Sequence, residues 1–208
     1  MATSYILAVT GASGCVYAVR LAEELLKRGN DIDLIVSPSA LLVFGHELGT
    51  KVEGGSLKKT EENFKGLLNK DSLKGSLILH EYTDIASKLS SGSALKKNML
   101  IVPCSMGTLG RIASGLSGNL IERAADCAIK ENGNLTLVPR ETPLSAIHLE
   151  NMLKLSRLGV KIIPAMPGFY NKPESIEDMV NFVIGKVLDS LGIENNLFKR
   201  WDPSEGKG

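Results

Sequence analysis

Residues 5–20 read YILAVTGASGCVYAVR, an apolar run that breaks at Gly11-Ala12-Ser13-Gly14 and resumes as an amphipathic helix. A strand that ends in small residues and opens a helix leaves backbone N–H groups turned outward, where the helix dipole favours negative charge. Gly11 and Gly14 let the backbone approach a ligand closely, and Ser13 adds a hydroxyl. On its own the turn is weak evidence, because GxxG junctions are often purely structural. It predicts an α/β protein that binds a nucleotide or a phosphate.

Outward from this turn, short and nearly continuous apolar runs recur at residues 6–10, 32–37, 99–103, 135–139 and 160–164. Runs of that kind are strands buried on both faces of a parallel sheet. Helical patterns lie between them. The first covers residues 15–28 and closes at Gly29; the second opens at Ser37-Pro38 and runs to 48. Asn119-x-x-Glu122 reads as a capping box for a helix to about 130, Thr142-Pro143 opens one that ends at Gly159, and Ser175-x-x-Asp178 opens the last, to 191. Alternating strands and helices predict a doubly wound, Rossmann-like (flavodoxin-like) parallel sheet in a single three-layer α/β/α domain. Residues 51–98 break the rhythm as a variable insertion, with a helix at 60–69 and a strand at 76–80. A polar tail follows from residue 202.

Composition narrows the function classes. The 208 residues suffice for one sizeable core, and a net charge of +1 gives no electrostatic case for nucleic acid or an anionic membrane. No apolar run is long enough to span a bilayer, and MATSYILAV lacks the basic start of a signal peptide, so the expected location is cytoplasmic. Cys15, Cys104 and Cys127 are odd in number and form no CxxC, which argues against disulfides and against a zinc site. His46, His80 and His148 fall in helices or at a strand end, read as structural or surface-exposed, and none is assigned a catalytic role.

The chemistry is expected at the C-terminal ends of the strands, where open α/β sheets bind ligands. The loops there are residues 11–14, 37–39, 103–108 (PCSMGT) and 139–142 (PRET), with 164–170 (PAMPGFY) as a fifth. Small hydroxyl residues, glycine, one Arg, one Glu and one Tyr on one rim suit a flat cofactor that carries a phosphate. Arg140 can grip a phosphate with its planar fork, and Glu141 can act as a general acid or base. Ser105 alone reads as the cap of the next helix, and as a ligand donor only because the other loops converge with it. Glu122 and Asp126 read as a cap and a solvated salt-bridge face, and spacing alone does not lift Arg123 and Lys130 out of that face.

These motifs together resemble the flavin prenyltransferases: TGASG, VPCSMGTL, NLIERAADCAIKE, LVPRETPLSAIHLENMLKLSRLG, PAMPGFYNKP and a C-terminal RW. The family was long labelled as aromatic-acid decarboxylase subunits. The resemblance covers nearly the whole chain outside residues 51–98. It implies an FMN-binding, metal-independent enzyme that joins the dimethylallyl group of dimethylallyl phosphate to N5 and C6 of reduced FMN. The product, prenylated FMN, would serve a partner decarboxylase, and the family assembles into homododecamers with sites at subunit contacts. By the same resemblance Gly11, Ala12, Ser13, Ser37, Ser105, Met106, Gly107, Thr108 and Arg140 bind FMN. The substrate set is Arg123, Lys130, Arg140, Tyr170, Lys186 and Trp201. Glu141, Glu47, Ser13 and Lys130 are the catalytic candidates. Position 186 is Lys where relatives commonly carry Arg, which keeps the charge and loses the fork. Two alternatives stand beside this reading: a non-catalytic FMN carrier or activator of a decarboxylase, and a cysteine-type flavin decarboxylase, whose catalytic His and Asn-rich loop are not found here.

Overall fold

The computed structural model describes residues 3–69, 73–91 and 98–200. Residues fall into two compact units, one up to Pro164 and one from Ala165. The first holds a six-stranded sheet in the order β3-β2-β1-β4-β5-β6, every pair parallel. Its strands are β1 (Ser4–Val9), β2 (Asp31–Val36), β3 (Leu77–His80), β4 (Asn98–Cys104), β5 (Asn134–Pro139) and β6 (Lys161–Ile162). The order turns back between β1 and β4, so the crevice expected at such a switch point opens beside residues 10–14 and 105–108.

Helices α1 (Cys15–Lys27), α2 (Pro38–Leu48), α3 (Leu57–Gly66), α4 (Met106–Ala113), α5 (Leu120–Lys130) and α6 (Ala146–Arg157) complete this unit. β1 and β4 are buried from their second residue to their last, as the unbroken apolar runs require of central strands. One face of the sheet presents Ile6, Ala8, Ile35, Met99 and Ile101 to Leu109 and Ile112 of α4, to Ile121 and Ala125 of α5 and to Leu155 of α6. α1 packs against β1, β2 and β4. Phe44 of α2 meets Phe64 of α3 edge-on at 5.8 Å.

Three boundaries differ from the sequence reading. α3 begins at Leu57, because Ser56 caps it through the N–H of Lys59 and leaves Thr60 inside the helix, where its hydroxyl accepts from Gly54 N–H. α6 begins at Ala146 rather than at Pro143, because Ser145 and His148 form a reciprocal cap. β6 is only two residues long. Within residues 51–98, β3 joins the sheet by pairing with β2, and α3 packs against β3. No helix among the described residues is long and apolar enough to cross a membrane.

The second unit carries α7 (Ile176–Ser190), capped reciprocally by Ser175 and Asp178 as its sequence predicts. The predicted tail from residue 202 lies outside the described residues.

Candidate active site

Four loops leave the sheet side by side from β2, β1, β4 and β5, and hydrogen bonds tie them together. The Thr10 hydroxyl donates to the Pro103 carbonyl at 2.9 Å and accepts the Ser105 N–H at 2.8 Å, which stitches the β1 loop to the β4 loop. Gly11 lies against Ser39: a Cβ there would stand 2.4 Å from the Ser39 hydroxyl, so only glycine lets these two loops touch. Ser37 caps α2 through Ala40 N–H and shares a hydrogen bond with Ser39 at 3.1 Å. Ser105 caps α4 through Thr108 N–H and donates to the Thr108 hydroxyl at 3.0 Å. The Met106 side chain lies in the core, leaving its backbone for any ligand.

The turn itself departs from the simple phosphate cradle. Glu47, near the end of α2, accepts the N–H of Gly14 on both oxygens, at 3.0 and 2.9 Å, and that of Cys15 at 2.9 Å. The Gly14 and Cys15 N–H groups at the N-terminus of α1 are therefore bonded to the protein's own carboxylate. Partial desolvation acts to raise the Glu47 pKa, but the Ser13 hydroxyl, the two N–H groups and the charge of Arg140 outweigh it and hold the carboxyl below its ordinary value.

Arg140, just past β5, donates its N–H to the Cys104 carbonyl at 3.4 Å, while its buried Nε has no hydrogen-bond partner. A buried guanidinium N–H left open at a strand terminus is a site prepared for an acceptor. Sequence reasoning passed over Tyr17. Its ring covers Gly14, with Cδ2 2.7 Å from where a Cβ would be. Burial raises the phenol's pKa, the charge of Arg140 lowers it and that of Glu47 raises it, so the group stays protonated at neutral pH near both charges. Only a contact map could have found it, since on the helix pattern Tyr17 is one more first-turn residue. Glu141 follows directly, one carboxylate oxygen accepting Thr142 N–H at 2.9 Å. Cys104 is fully buried with its thiol pushed up to about 12, so it is no nucleophile.

Other candidates lie elsewhere. Lys130 ends α5 ahead of the first residue of β5, the end of the sheet away from the loops, and pairs with Glu131 at 3.4 Å. The six residues of β5, at about 3.3 Å each, set it about 20 Å from Arg140 in the same chain. Arg123 pairs with Asp126 at 3.0 Å. Glu122 is not on a solvated face: it is 2% exposed and clasped by Arg111 of α4, by Gly118 N–H and by the Asn119 side chain. In the second unit Tyr170 meets Phe182 edge-on at 5.7 Å, and Lys186 projects along the rings of Phe182 and Phe198. Trp201 lies outside the described residues. Two of the histidines have structural partners, His148 capping α6 and His80 bonded to Asp33 at 2.7 Å, and His46 is exposed on α2.

Comparison with known proteins gives the family of the chain and its fold. The Flavoprotein family model matches residues 2–188. Flavin prenyltransferase UbiX of Halalkalibacterium halodurans is 46% identical over 197 residues, covering 95% of this chain and 92% of the relative. Among solved structures, AnUbiX (PadA1) in complex with FMN and dimethylallyl pyrophosphate superposes with a TM-score of 0.85 at 35% identity, over 97% of this chain and 98% of that one. The dodecameric FMN-dependent UbiX-like decarboxylase of Escherichia coli O157:H7 gives 0.82 at 37%, over 96% and 100%. With a doubly wound parallel sheet, a match to the Flavoprotein family and this likeness along nearly its full length, the chain belongs to the flavin prenyltransferase UbiX family.

Proposed function

We propose that this chain transfers the dimethylallyl group of dimethylallyl phosphate to reduced FMN. The observation that carries the reading is the open, buried Nε of Arg140 on a rim whose nearest helix N-terminus is already filled by Glu47. Such an open donor, on a guanidinium that feels Glu47 through charge alone, can take an acceptor from outside the chain. The residues fit a flavin phosphate ester: Gly11 permits close backbone approach, and Ser37, Ser105 and Thr108 supply hydroxyls from three adjoining loops.

FMN enters as a substrate. The bond between the prenyl carbon and the phosphate oxygen breaks, and phosphate leaves with the electron pair. The prenyl carbons become bonded to N5 and C6, which each lose a proton; the alkene takes up one and the other leaves with phosphate. Arg140, Tyr170 and Lys186 bind the phosphate and stabilise its growing charge, and Glu141 handles the proton. Positioning and electrostatics thus carry the catalysis, with no covalent protein intermediate.

Lys130 joins this set from another copy. Its distance from Arg140 within the chain supports that, as do Ile147, Leu149 and Leu153, which α6 leaves exposed for packing between copies. The dodecamer of the Escherichia coli relative is the assembly we assign to this chain. Prenylated FMN is then consumed by a decarboxylase.

The test is anaerobic incubation with reduced FMN and dimethylallyl phosphate or diphosphate, followed by mass spectrometry of the released flavin. A flavin heavier by one five-carbon unit, and absent with Glu141→Gln, supports the transferase. Unmodified but tightly bound flavin with both donors would make the chain a carrier.

A further inference from the structure

We propose that Phe198 is a positioning residue for Lys186, holding its ammonium group where the prenyl phosphate binds. The inference rests on the reading of Lys186 as a ligand of that phosphate. Lys186 Nζ lies 5.0 Å from the ring centroid of Phe198 and 5.6 Å from that of Phe182, and the two rings are themselves 5.0 Å apart. A lysine stem has four rotatable bonds and no planar fork, so an exposed ammonium samples many positions unless something fixes it. The negative faces of two aromatic rings do so without neutralising the charge, leaving it for an anion.

The surroundings place the Phe198 ring. Gly185, one residue before Lys186, has no room for a side chain: a Cβ would stand 2.5 Å from Phe198 Cδ1 and Cε1. The segment that carries Phe198 is fastened to α7 by Asn195, whose amide donates to the carbonyl of Gly185 at 3.2 Å and to Asp189 at 3.0 Å. Arg200 also lies over the Phe198 ring, at 5.4 Å, but its guanidinium is committed to Asp189 through two bonds of 3.1 and 2.7 Å. Asp189 takes its hydrogen bonds from Asn195 and Arg200 and feels Lys186 only as a nearby charge, so the Lys186 ammonium stays over the ring. An arginine at 186 would orient itself by its fork; a lysine here is oriented by Phe198.

The test is a mutant cycle in the full chain. Phe198→Met keeps the apolar volume and removes the ring face. It should raise the KM for dimethylallyl phosphate by about three- to tenfold. FMN affinity should stay within about twofold of the parent, while kcat should fall together with the rise in KM, because Lys186 also stabilises the departing phosphate. Phe198→Tyr should restore the KM. In a Lys186→Met background, Phe198→Met should add nothing, because a residue acting through Lys186 has no effect once Lys186 is gone. Equal losses in both backgrounds, a loss of FMN affinity, or no rescue by Tyr would overturn the proposal. Should Phe198→Met fold poorly, pentafluorophenylalanine at position 198 keeps the shape and inverts the ring's charge; an unchanged KM would then sink it. If Lys186→Met alone leaves the KM unchanged, the phosphate reading of Lys186 falls and the proposal with it. If Lys186→Met raises the KM and Phe198→Met does not, only the positioning role falls.

Discussion

Glu47 reaches back from the last turn of α2 to accept the N–H of Gly14 on both carboxylate oxygens. Gly14 precedes α1 with φ of 109° and offers no side-chain cap, so the glutamate does the work of a cap from another helix. Glu47→Ala should therefore cost about 1 kcal/mol of stability, the typical loss of an N-cap. Because the folded pKa is lowered, the carboxylate's contribution is present above its ordinary value of 4.5 and disappears as pH falls through the lowered one. Denaturant unfolding at pH 7 and at pH 3 should show a smaller gap between variant and parent at the lower pH. An equal gap at both would mean that the charge is not what matters.

Gly11 is needed for contact rather than for a strained φ. Gly11→Ala should leave the fold intact and weaken FMN binding by about tenfold or more, by forcing the β1 and β2 loops apart. Ser39→Gly removes the atoms that the new methyl would strike, so the double variant should recover part of the affinity. Flavin titration of the two variants decides it; no recovery would place the damage elsewhere.

Tyr17→Phe keeps the ring over Gly14 and removes the hydroxyl that stands near Arg140 and Glu47. Thermal stability should be close to that of the parent, while prenyl transfer should fall by about two- to tenfold, the scale of one modest polar interaction at the rim. An unchanged rate would confine Tyr17 to packing.

Asp33 is one of the carboxylates that contribute to the acid limb of stability. Burial raises its pKa, but hydrogen bonds from His80 and Lys88 outweigh burial and bring it to about 2. The stabilisation is therefore complete above the ordinary value of 3.8 and is lost as pH falls from about 4 to about 2. Its size is on the order of 2 kcal/mol. Asp33→Asn should flatten the unfolding free energy across that window, which an acid titration followed by circular dichroism would read directly.

What the sequence made legible follows from how local each signal is. The buried strands and the Ser37, Asn119 and Ser175 caps depend on neighbours along the chain, and they stand where the residues predict. Glu122 was misread because its partner, Arg111, lies eleven residues away on α4, and no i,i+4 rule looks that far. Glu47 and Tyr17 are assigned by folding: one is an outward helix residue and the other a first-turn aromatic until α1, α2 and the β5 loop come together. The carried-over motifs named Arg140 and Lys130 in one set, yet the run of β5 puts them at opposite ends of the sheet.

That separation gives the sharpest prediction. If Arg140 of one copy and Lys130 of another complete each site, then Lys130→Ala and Arg140→Ala are each inactive for different reasons. Co-expressed, the two chains should assemble into mixed oligomers. A site is whole when its Arg140 comes from the Lys130→Ala chain and its Lys130 from the Arg140→Ala chain. Random assembly at equal amounts makes that about one site in four, so about a quarter of the parent activity should return. Purification through different tags on the two chains ensures that only mixed assemblies are assayed. Recovery at that level fixes the active site at a contact between copies. Activity no higher than in either single variant would mean that Lys130 serves its own chain's fold, and the phosphate would then be held without it.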